Sequence, residues 1–392
     1  MVACDTILSR KIVVGAVKEV TEGIFVPPTN TDLMQHVGFP TPNPTRERLS
    51  RDVVRDAIGL LKEKLGLKGG TIDLVTELRG GGESGGTSIR PENHVLLESA
   101  LGTEIDSTAG GVDAGGSTDN LIELGGGQGS NFAVGSIVLI NGEVRFVTAV
   151  NTDQLTLNDP LSAAPVITDV VAGGFTYAPT TADHPPFSMS LFIDAVASGP
   201  EFRGIGCRIG SLSISNYAAG QIPQLSFSIE MLDFTEVIGT LPANPVFNDT
   251  EPAVLIDQFI RRDGTNQQVN TLELEISNTI SRQADMIEPG GVACMRVTER
   301  SVEGSLDPFT PSTNVDNFDD WDQNVSFQLQ TIVGDRVSVG GDYIQGSIAA
   351  IWLKQANFVE FSHQDSDGIV QDALPFKAHV SEGDDDIFIA FI

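Results

Sequence analysis

From residue 185 to residue 392, short segments of the chain alternate apolar and polar side chains with a period of two. Residues 224–231 read QLSFSIEM, and residues 271–277 (TLELEIS) and 325–330 (VSFQLQ) repeat the pattern. Because successive side chains of a strand point to opposite faces, each segment has one apolar and one polar face. This pattern is typical of an antiparallel sheet with one packed and one solvated side. It excludes a doubly wound α/β sheet, whose central strands are apolar on both faces.

The rest of the chain adds few elements to this mainly β fold, for which we expect an antiparallel sandwich or barrel. Five prolines between residues 27 and 44 predict an extended arm over residues 1–45, laid over a surface. Residues 91–97 (PENHVLL) predict a short flanking helix that ends before Gly102. Residues 46–65 fit a further helix. Its apolar stripe would consist of Leu49, Val53, Ala57, Leu60, Leu61 and Leu65.

A small β-barrel-like module is predicted within the chain. Residues 103–130 are rich in Gly, Ser and Asp and indicate a flexible connection. Three short strands follow, and Asn141-Gly142 between the first two is the strongest short-range signal for a hairpin. The segment GGFTYAP, residues 173–179, is interpreted as closing the unit. The predicted domains are an arm (1–45), a discontinuous core domain (46–115 and 181–392) and an inserted module with its Gly-rich linker (116–180).

The formal charge of −30 argues against two classes of partner. The 392 residues contain 53 acidic and 23 basic side chains. Residues 1–100 hold 13 acidic and 12 basic groups, so the excess lies in residues 101–392 and is spread along them. Nucleic-acid binders collect phosphates with a basic footprint, and an anionic membrane surface repels an acidic protein. Since no stretch of about 18 uncharged apolar residues is present, we expect no membrane insertion.

The segment GESGG, residues 82–86, matches the G-x-S-x-G motif of serine hydrolases. A hydrolase elbow needs its serine on a tight turn directly between a strand and a helix, whereas Ser84 follows the predicted strand by several residues. A chymotrypsin-like order needs His and Asp upstream, and His36 alone precedes Ser84. We interpret Gly80–Thr87 as a mobile loop and expect no catalytic residue.

The sequence gives no support for a metal site or a cofactor. The five histidines show no HExxH or cluster spacing. Cys4, Cys207 and Cys294 are far apart and odd in number, which favours reduced thiols in a cytosol. Residues 365–368 (DSDG) resemble part of a calcium loop but lack its later ligands, and residues 383–386 (GDDD) also fit a turn between strands. We expect no metal, no cofactor and no enzyme.

Residues 203–232 (RGIGCRIGSLSISNYAAGQIPQLSFSIEML) resemble the major tail tube proteins of long-tailed bacteriophages. Three further stretches, residues 74–102, 271–308 and 365–392, are similar to that family in the same order. The first of these stretches resembles the family's strand, Gly-rich loop and short helix, and the last stretch resembles the family's final two strands. Neither the arm nor the module is covered by the resemblance.

The resemblance implies a structural role in a virion tail, in a protein made in the bacterial host cytoplasm. Tail tube subunits form hexameric rings around a β-barrel lumen, and the rings stack into a tube through which the genome passes. The implied partners are further copies of the chain, the tape measure protein, the tail terminator and the tail tip or baseplate proteins. For residues 46–65 the family pattern is also compatible with an extended conformation, which weakens the prediction of a helix there.

The composition fits this role independently of the resemblance. DNA carries about one charge per 1.7 Å, so a wall of like charge offers it no attractive site. Alternatively, the polar faces of the alternating strands point outward or toward neighbouring subunits. The candidate lumen-facing residues are Ser226, Ser228, Glu230, Glu273, Glu275, Gln328 and Gln330. For contacts between rings we expect the arm and the Gly-rich loop, with Gly80, Gly82, Glu83, Ser84 and Gly86 as candidates.

A second hypothesis is a tail tip or fibre protein that binds carbohydrate or a receptor through the module. Sugar binding of this kind uses exposed aromatic side chains as stacking platforms. The chain has two tryptophans and three tyrosines, and of these the module holds Tyr177 alone. The sequence therefore favours the tail tube hypothesis.

Overall fold

The computed structural model describes residues 9–54, 59, 61–113, 115–193, 198–310 and 315–392, and it is mainly β. The elements before residue 107 are β1 (Val13–Lys18), β2 (Leu33–Met34), β3 (Val37–Leu49), β4 (Lys64–Glu77), β5 (Glu83–Ser84), β6 (Thr87–Ser88), α1 (His94–Leu101) and β7 (Gly102–Asp106). The next are β8 (Gly110–Gly111), β9 (Leu121–Glu123), β10 (Ile137–Ile140), β11 (Glu143–Asn151), β12 (Gln154–Leu157) and β13 (Val170–Gly173).

The elements after residue 174 complete the fold. They are β14 (Phe175–Pro179), β15 (Phe187–Phe192), β16 (Gly199–Ser215), β17 (Gln224–Met231), β18 (Asp233–Gly239), β19 (Phe259–Arg262), β20 (Thr265–Asn266), β21 (Val269–Ala284), β22 (Val292–Pro308), α2 (Asp316–Asp322), β23 (Phe327–Val333), β24 (Ala349–Phe358), β25 (Ser362–Ser366), β26 (Ile369–Ala378) and β27 (Phe388–Phe391).

The first layer is an antiparallel run in the order β3-β4-β17-β16-β21-β22-β26. Its alternating sequence decides which side is packed. Leu225, Phe227 and Ile229 of β17 are buried, whereas Ser226 and Ser228 between them are partly exposed. We call the outer side of β4, β17, β16, β21 and β22 the polar face. The predicted antiparallel sheet with one packed and one solvated side is confirmed.

The second layer is formed by β23, β24, β27, β14 and β7. The N-terminal half of β16 continues the fold on another side, where β2, β1, β15, β16 and β18 pair in that order. One hydrophobic core lies between the layers. It joins Phe227 and Leu274 of the first layer to Leu329, Ile351 and Ile389 of the second.

A separate six-stranded sheet, in the order β8-β13-β10-β11-β12-β9, follows β7. We call residues 107–174 the module. At its first hairpin Asn141 and Gly142 have φ of 51° and 75°, the left-handed values that a two-residue turn of this kind requires. The module has a small core of its own, with Ile122, Val138 and Leu155 fully buried.

The strands that enter and leave the module pair with each other in the second layer. β14 pairs with β7, from Phe175 opposite Asp106 to Pro179 opposite Gly102, and also with β27. The prediction that GGFTYAP closes the small unit is therefore wrong for residues 175–179. These alternating residues form β14, which lies between β7 and β27 in the second layer.

The helix over residues 46–65 is wrong where the structure describes them. β3 continues to Leu49 and β4 begins at Lys64, so both ends of the segment belong to one antiparallel ladder. Strand pairing outweighs a weak local helical pattern; Ala57 and Leu60 lie outside the described residues. The flanking helix is confirmed as α1, whose C-cap Gly102 has φ of 116°.

The strands of the predicted arm lie within the sheet. β1 pairs with both β2 and β15, so this part of the chain is an inner strand and is not laid over a surface. Among the strands described, β3 pairs with β4 alone. Pro42 and Pro44 lack an N–H group, so the donors of the β3–β4 ladder come from Thr41, Asn43 and Thr45. The prolines face the free edge of β3.

Candidate functional site

The polar face is built from cross-strand rows of small polar and acidic side chains. One row contains Asp73 of β4, Ser228 of β17, Ser211 of β16 and Ser277 of β21, each opposite the next. The Ser228 hydroxyl donates to Asp73 Oδ1 at 3.1 Å. Side chains this short leave the strands open to solvent over the whole row.

The neighbouring row is acidic at its far end. It runs from Ser226 through Ser213 to Glu275, Glu303 and Lys377 on successive strands. Glu275 and Glu303 stand directly opposite each other, an arrangement that destabilises a sheet. Lys377 Nζ lies 2.9 Å from Glu303 Oε1 and offsets part of this repulsion. The row therefore keeps a net negative charge at the cost of some subunit stability.

Two further acidic residues extend the polar face toward its ends. Glu273 accepts a hydrogen bond from Ser305 Oγ at 3.2 Å, and Glu230 lies 3.4 Å from Arg282 Nη2. A shallow depression of 510 Å³ opens beside Glu273. The candidates that the structure brings onto this one face are Ser226, Ser228, Glu230, Glu273 and Glu275.

Gln328 and Gln330 lie elsewhere, on the side of β23 that the module covers. Gln330 is only 1% exposed, and its Oε1 accepts a hydrogen bond from Asn158 Nδ2 at 3.1 Å. Gln328 Nε2 donates to Asp159 Oδ1 at 2.7 Å, and its Oε1 accepts from Trp352 Nε1 at 3.3 Å. Burial raises the pKa of the Asp159 carboxyl at this junction. The two glutamines bind the module to the second layer and are not part of the polar face.

The predicted Gly-rich loop is an ordered β hairpin at the far end of β4. β5 and β6 pair through Glu83 and Ser84, and the turn Gly85-Gly86 has φ of 61° and 81°. Glu83 Oε2 accepts a hydrogen bond from the Gly86 amide at 2.8 Å. The Ser84 side chain is exposed, and within the described chain it makes no hydrogen bond. The interpretation of this segment as a mobile loop is wrong, because pairing and a glycine turn order it.

Two hairpins project together from one end of the first layer. β3–β4 extends past the end of β17, and β21–β22 extends past Ser211, where the pairing of β16 with β21 stops. Leu67 lies against Gly291 between the two hairpins. The tips expose apolar side chains: Met286 is fully exposed, Val54 is 97% exposed and Ile287 is 89% exposed. These exposed apolar groups make the two hairpin tips a candidate interaction surface.

At the same end the net charge is positive, opposite in sign to the net charge of the whole chain. Residues 46–68 contain seven basic and four acidic side chains, in a protein with a formal charge of −30. Sequence reasoning interpreted this stretch through its apolar spacing and missed its positive charge. The signal that would have identified this end is the local change in the sign of the charge.

The opposite end of the first layer is apolar and acidic. The turn at residues 216–223 hydrogen-bonds to the backbone of Leu255 in segment 246–258. Asp257 of that segment accepts from the Gly340 amide of loop 334–346 at 2.6 Å. Segment 246–258 contains three acidic residues and no basic one. The exposed apolar side chains at this end include Ile222, Ile256, Val337 and Val339.

The Asp-rich turns are held by protein groups. Asp385 Oδ2 lies 2.6 Å from Lys354 Nζ, and Asp386 Oδ1 lies 2.9 Å from Arg300 Nη2. Asp367 has φ of 53° in the tight turn between β25 and β26. Over the part of the chain that the structure describes, no group of three or more His, Cys, Asp or Glu is arranged to hold a metal ion. None of the helices in the described ranges is long and apolar enough to cross a membrane.

The described residues form a β-rich fold with a wide polar sheet face and two unlike ends. The family model described as phage tail tube protein matches residues 9–387, nearly the whole chain. The chain therefore belongs to the phage tail tube protein family, and its role is structural, in the tail of a phage particle. No curated protein matches the chain.

Proposed function

We propose that six copies of this chain close into a ring and that the rings stack into a tail tube whose lumen is lined by the polar face. In this proposal the tube-forming domain is the predicted discontinuous core (46–115 and 181–392), with β14 added to it and β8 assigned to the module, and the module is an insertion. The tape measure protein fills the lumen during assembly, and the tail terminator and tail tip or baseplate proteins bind its ends. Later the genome passes through, without specific binding.

The polar face supports the lumen assignment. Its serines present short side chains, while Glu230, Glu273, Glu275 and Glu303 supply negative charge. DNA carries about one charge per 1.7 Å, so each ring repels the passing duplex instead of holding it. Six copies repeat the same charges around one channel and multiply this effect. The tape measure protein, in contrast, can hydrogen-bond to the many hydroxyl groups of the rows.

The two unlike ends are the single observation that carries the stacking proposal. One end has a net positive segment with exposed Met286 and Ile287, and the other has the acidic segment 246–258 with exposed Val337 and Val339. A surface that is complementary to another part of the same molecule makes a head-to-tail contact, which repeats without limit along an axis. The hairpin of Glu83 and Ser84 belongs to the acidic end, so the predicted inter-ring residues fit this contact.

The central experiment is electron microscopy of the purified protein, with two matched double variants. Met286→Asp with Ile287→Asp places charge in the apolar tip, and Val166→Asp with Ile167→Asp does the same to an adjacent exposed pair on the module. We expect tubes from the wild-type and module variants, and only short stacks or single rings from the tip variant. Tubes of normal length from the tip variant would contradict the stacking surface. Wild-type monomers at every concentration and salt would contradict the proposed function.

The lumen assignment has its own test. Glu273→Lys with Glu275→Lys reverses two exposed charges of the polar face without touching the core. We expect tubes to form and to bind duplex DNA in a salt-dependent manner, because cationic surfaces release counterions from DNA. Assembled tubes that gain no DNA affinity, or that bind DNA fully accessible to a nuclease, would contradict the lumen assignment.

The carbohydrate-binding alternative finds no support in the module. Tyr177, the only Tyr or Trp within the predicted module, is fully buried in β14 of the second layer and donates to Glu104 at 2.9 Å. Phe132 and Phe146 of the module are also buried. Buried rings cannot stack on a sugar.

A further inference from the structure

The module is joined to the second layer by a continuous apolar junction. Its Ile137, Val144 and Phe146 pack with Trp352 and Phe388 in one hydrophobic cluster. The ring of Trp352 stacks between those of Phe146 and Phe388, with centroids 5.3 Å and 5.0 Å away. These rings are buried, so the module is fixed to the sandwich and does not hang from a flexible linker.

The second layer is covered on both sides as a result. Along β24, Ile351 and Leu353 belong to the main core, whereas Ala350 and Trp352 belong to the junction with the module. β27 follows the same alternation. Strands that are apolar on both faces need two covering layers, and the module supplies the outer one. Over residues 349–353 of β24 and over β27, neither face is left for another protein.

The polar face and the module therefore lie on the outer sides of different layers, with the main core between them. The polar face is the outer side of β17 and β21, and the module is on the outer side of β23, β24 and β27. If one of these sides lines a channel, the other is turned away from it. The fold of the subunit therefore determines which of its sides faces the lumen of a tube and which faces outward.

We infer that the module forms the outer surface of the tube, so that any protein surrounding the tail contacts the module and not the sandwich. This rests on the proposed function, because it takes the polar face as the lumen wall. The module contains seven acidic residues and one basic residue, Arg145, which is buried and paired with Glu143 at 2.6 Å. The outer surface is therefore anionic, and it fits a partner with a basic surface.

The test uses cysteine labelling with a maleimide-bearing protein too large to enter a channel. Asp119 lies in an exposed turn of the module, and Ser228 lies at the centre of the polar face. Asp119→Cys and Ser228→Cys are made separately in a chain that also carries Cys4→Ser and Cys294→Ser; Cys207 is fully buried. Labelling is measured by gel shift on assembled tubes and on dissociated subunits.

We expect Asp119→Cys to be labelled in both states and Ser228→Cys only after dissociation. Protection of Asp119→Cys in the tubes, whatever happens at Ser228, would overturn the outer position of the module. Labelling of Ser228→Cys in tubes would overturn it as well, because the polar face would then be outside. A chain that forms no tubes contradicts the proposed function instead, so the two failures are distinguishable.

Discussion

The polar face and the junction beneath the module have the same sequence pattern but opposite surroundings. In β17 the polar positions are Ser226 and Ser228, which border solvent, and in β23 they are Gln328 and Gln330, which are covered. Alternation decides that a strand has two unlike faces, but it does not decide what lies against the polar one. Ser226 and Ser228 share their face with the carboxylates of Glu230, Glu273 and Glu275. A buried amide can form its full set of hydrogen bonds, whereas an unpaired carboxylate is costly to bury.

The junction and the polar face therefore contribute differently to the subunit. Gln330 is bonded to Asn158 and to the backbone of Val144, so its contacts stabilise the fold. Glu275 faces Glu303 across the sheet and makes the fold less stable. Residues that oppose stability on an open surface are expected where a function other than folding requires them.

The largest expected effect comes from Trp352→Ala at the junction. The side chain is 1% exposed and stacks between Phe146 and Phe388. Truncating a buried tryptophan costs about 3–5 kcal/mol, and here the loss falls on the contact that holds the module. Denaturant unfolding and limited proteolysis would show a less stable chain that is cut first near the module. If the substitution left unfolding unchanged, the expected difference in stability between the covered second layer and the open polar face would be contradicted.

A smaller effect is expected from Gln330→Ala. The change leaves Asn158 Nδ2 without its partner in a buried site, which costs about 1–3 kcal/mol. The control is Ser228→Ala on the polar face, for which a change within about 0.5 kcal/mol is expected. Thermal unfolding of both variants measures the comparison. Equal losses would mean that the two polar positions are equivalent after all.

Acid should weaken the module through Asp153. Its carboxylate accepts hydrogen bonds from the Gly129 and Gly127 amides, and these bonds lower its pKa in the folded chain. A lowered pKa contributes stability above the unfolded pKa of about 3.9, and this contribution is lost as the pH falls through the folded pKa. Asp153→Asn should flatten the fall in melting temperature below pH 4. Asp119→Asn, in an exposed turn, serves as the control and should leave the wild-type profile.

The smallest effect is expected from Glu275→Gln, and its sign is the informative part. Removing one of two opposed charges should stabilise the isolated subunit by about 0.5 kcal/mol or less, since both groups are exposed. High salt should erase the gain by screening. Chemical denaturation at low and high ionic strength measures it. A destabilised variant would show that the charge serves the fold of the subunit.

Much of this architecture could be predicted from the sequence because it depends on local patterns. The period of two, the Asn141-Gly142 turn and the Gly102 cap each specify their own element. What surrounds an element depends on distant residues, so the place of Gln330 could not be inferred from VSFQLQ. The two projecting hairpins were missed for the same reason. Each strand of a hairpin such as β3–β4 is stabilised by its partner strand, and the sequence of one strand does not show which strand pairs with it.

The free edge of β3 has a consequence for how the protein behaves when many copies are crowded together. Pro42 and Pro44 remove two N–H donors from the middle of that edge, so an arriving strand finds an incomplete ladder there. Cross-β stacking requires a complete ladder. This edge therefore disfavours irreversible aggregation of concentrated subunits before they assemble.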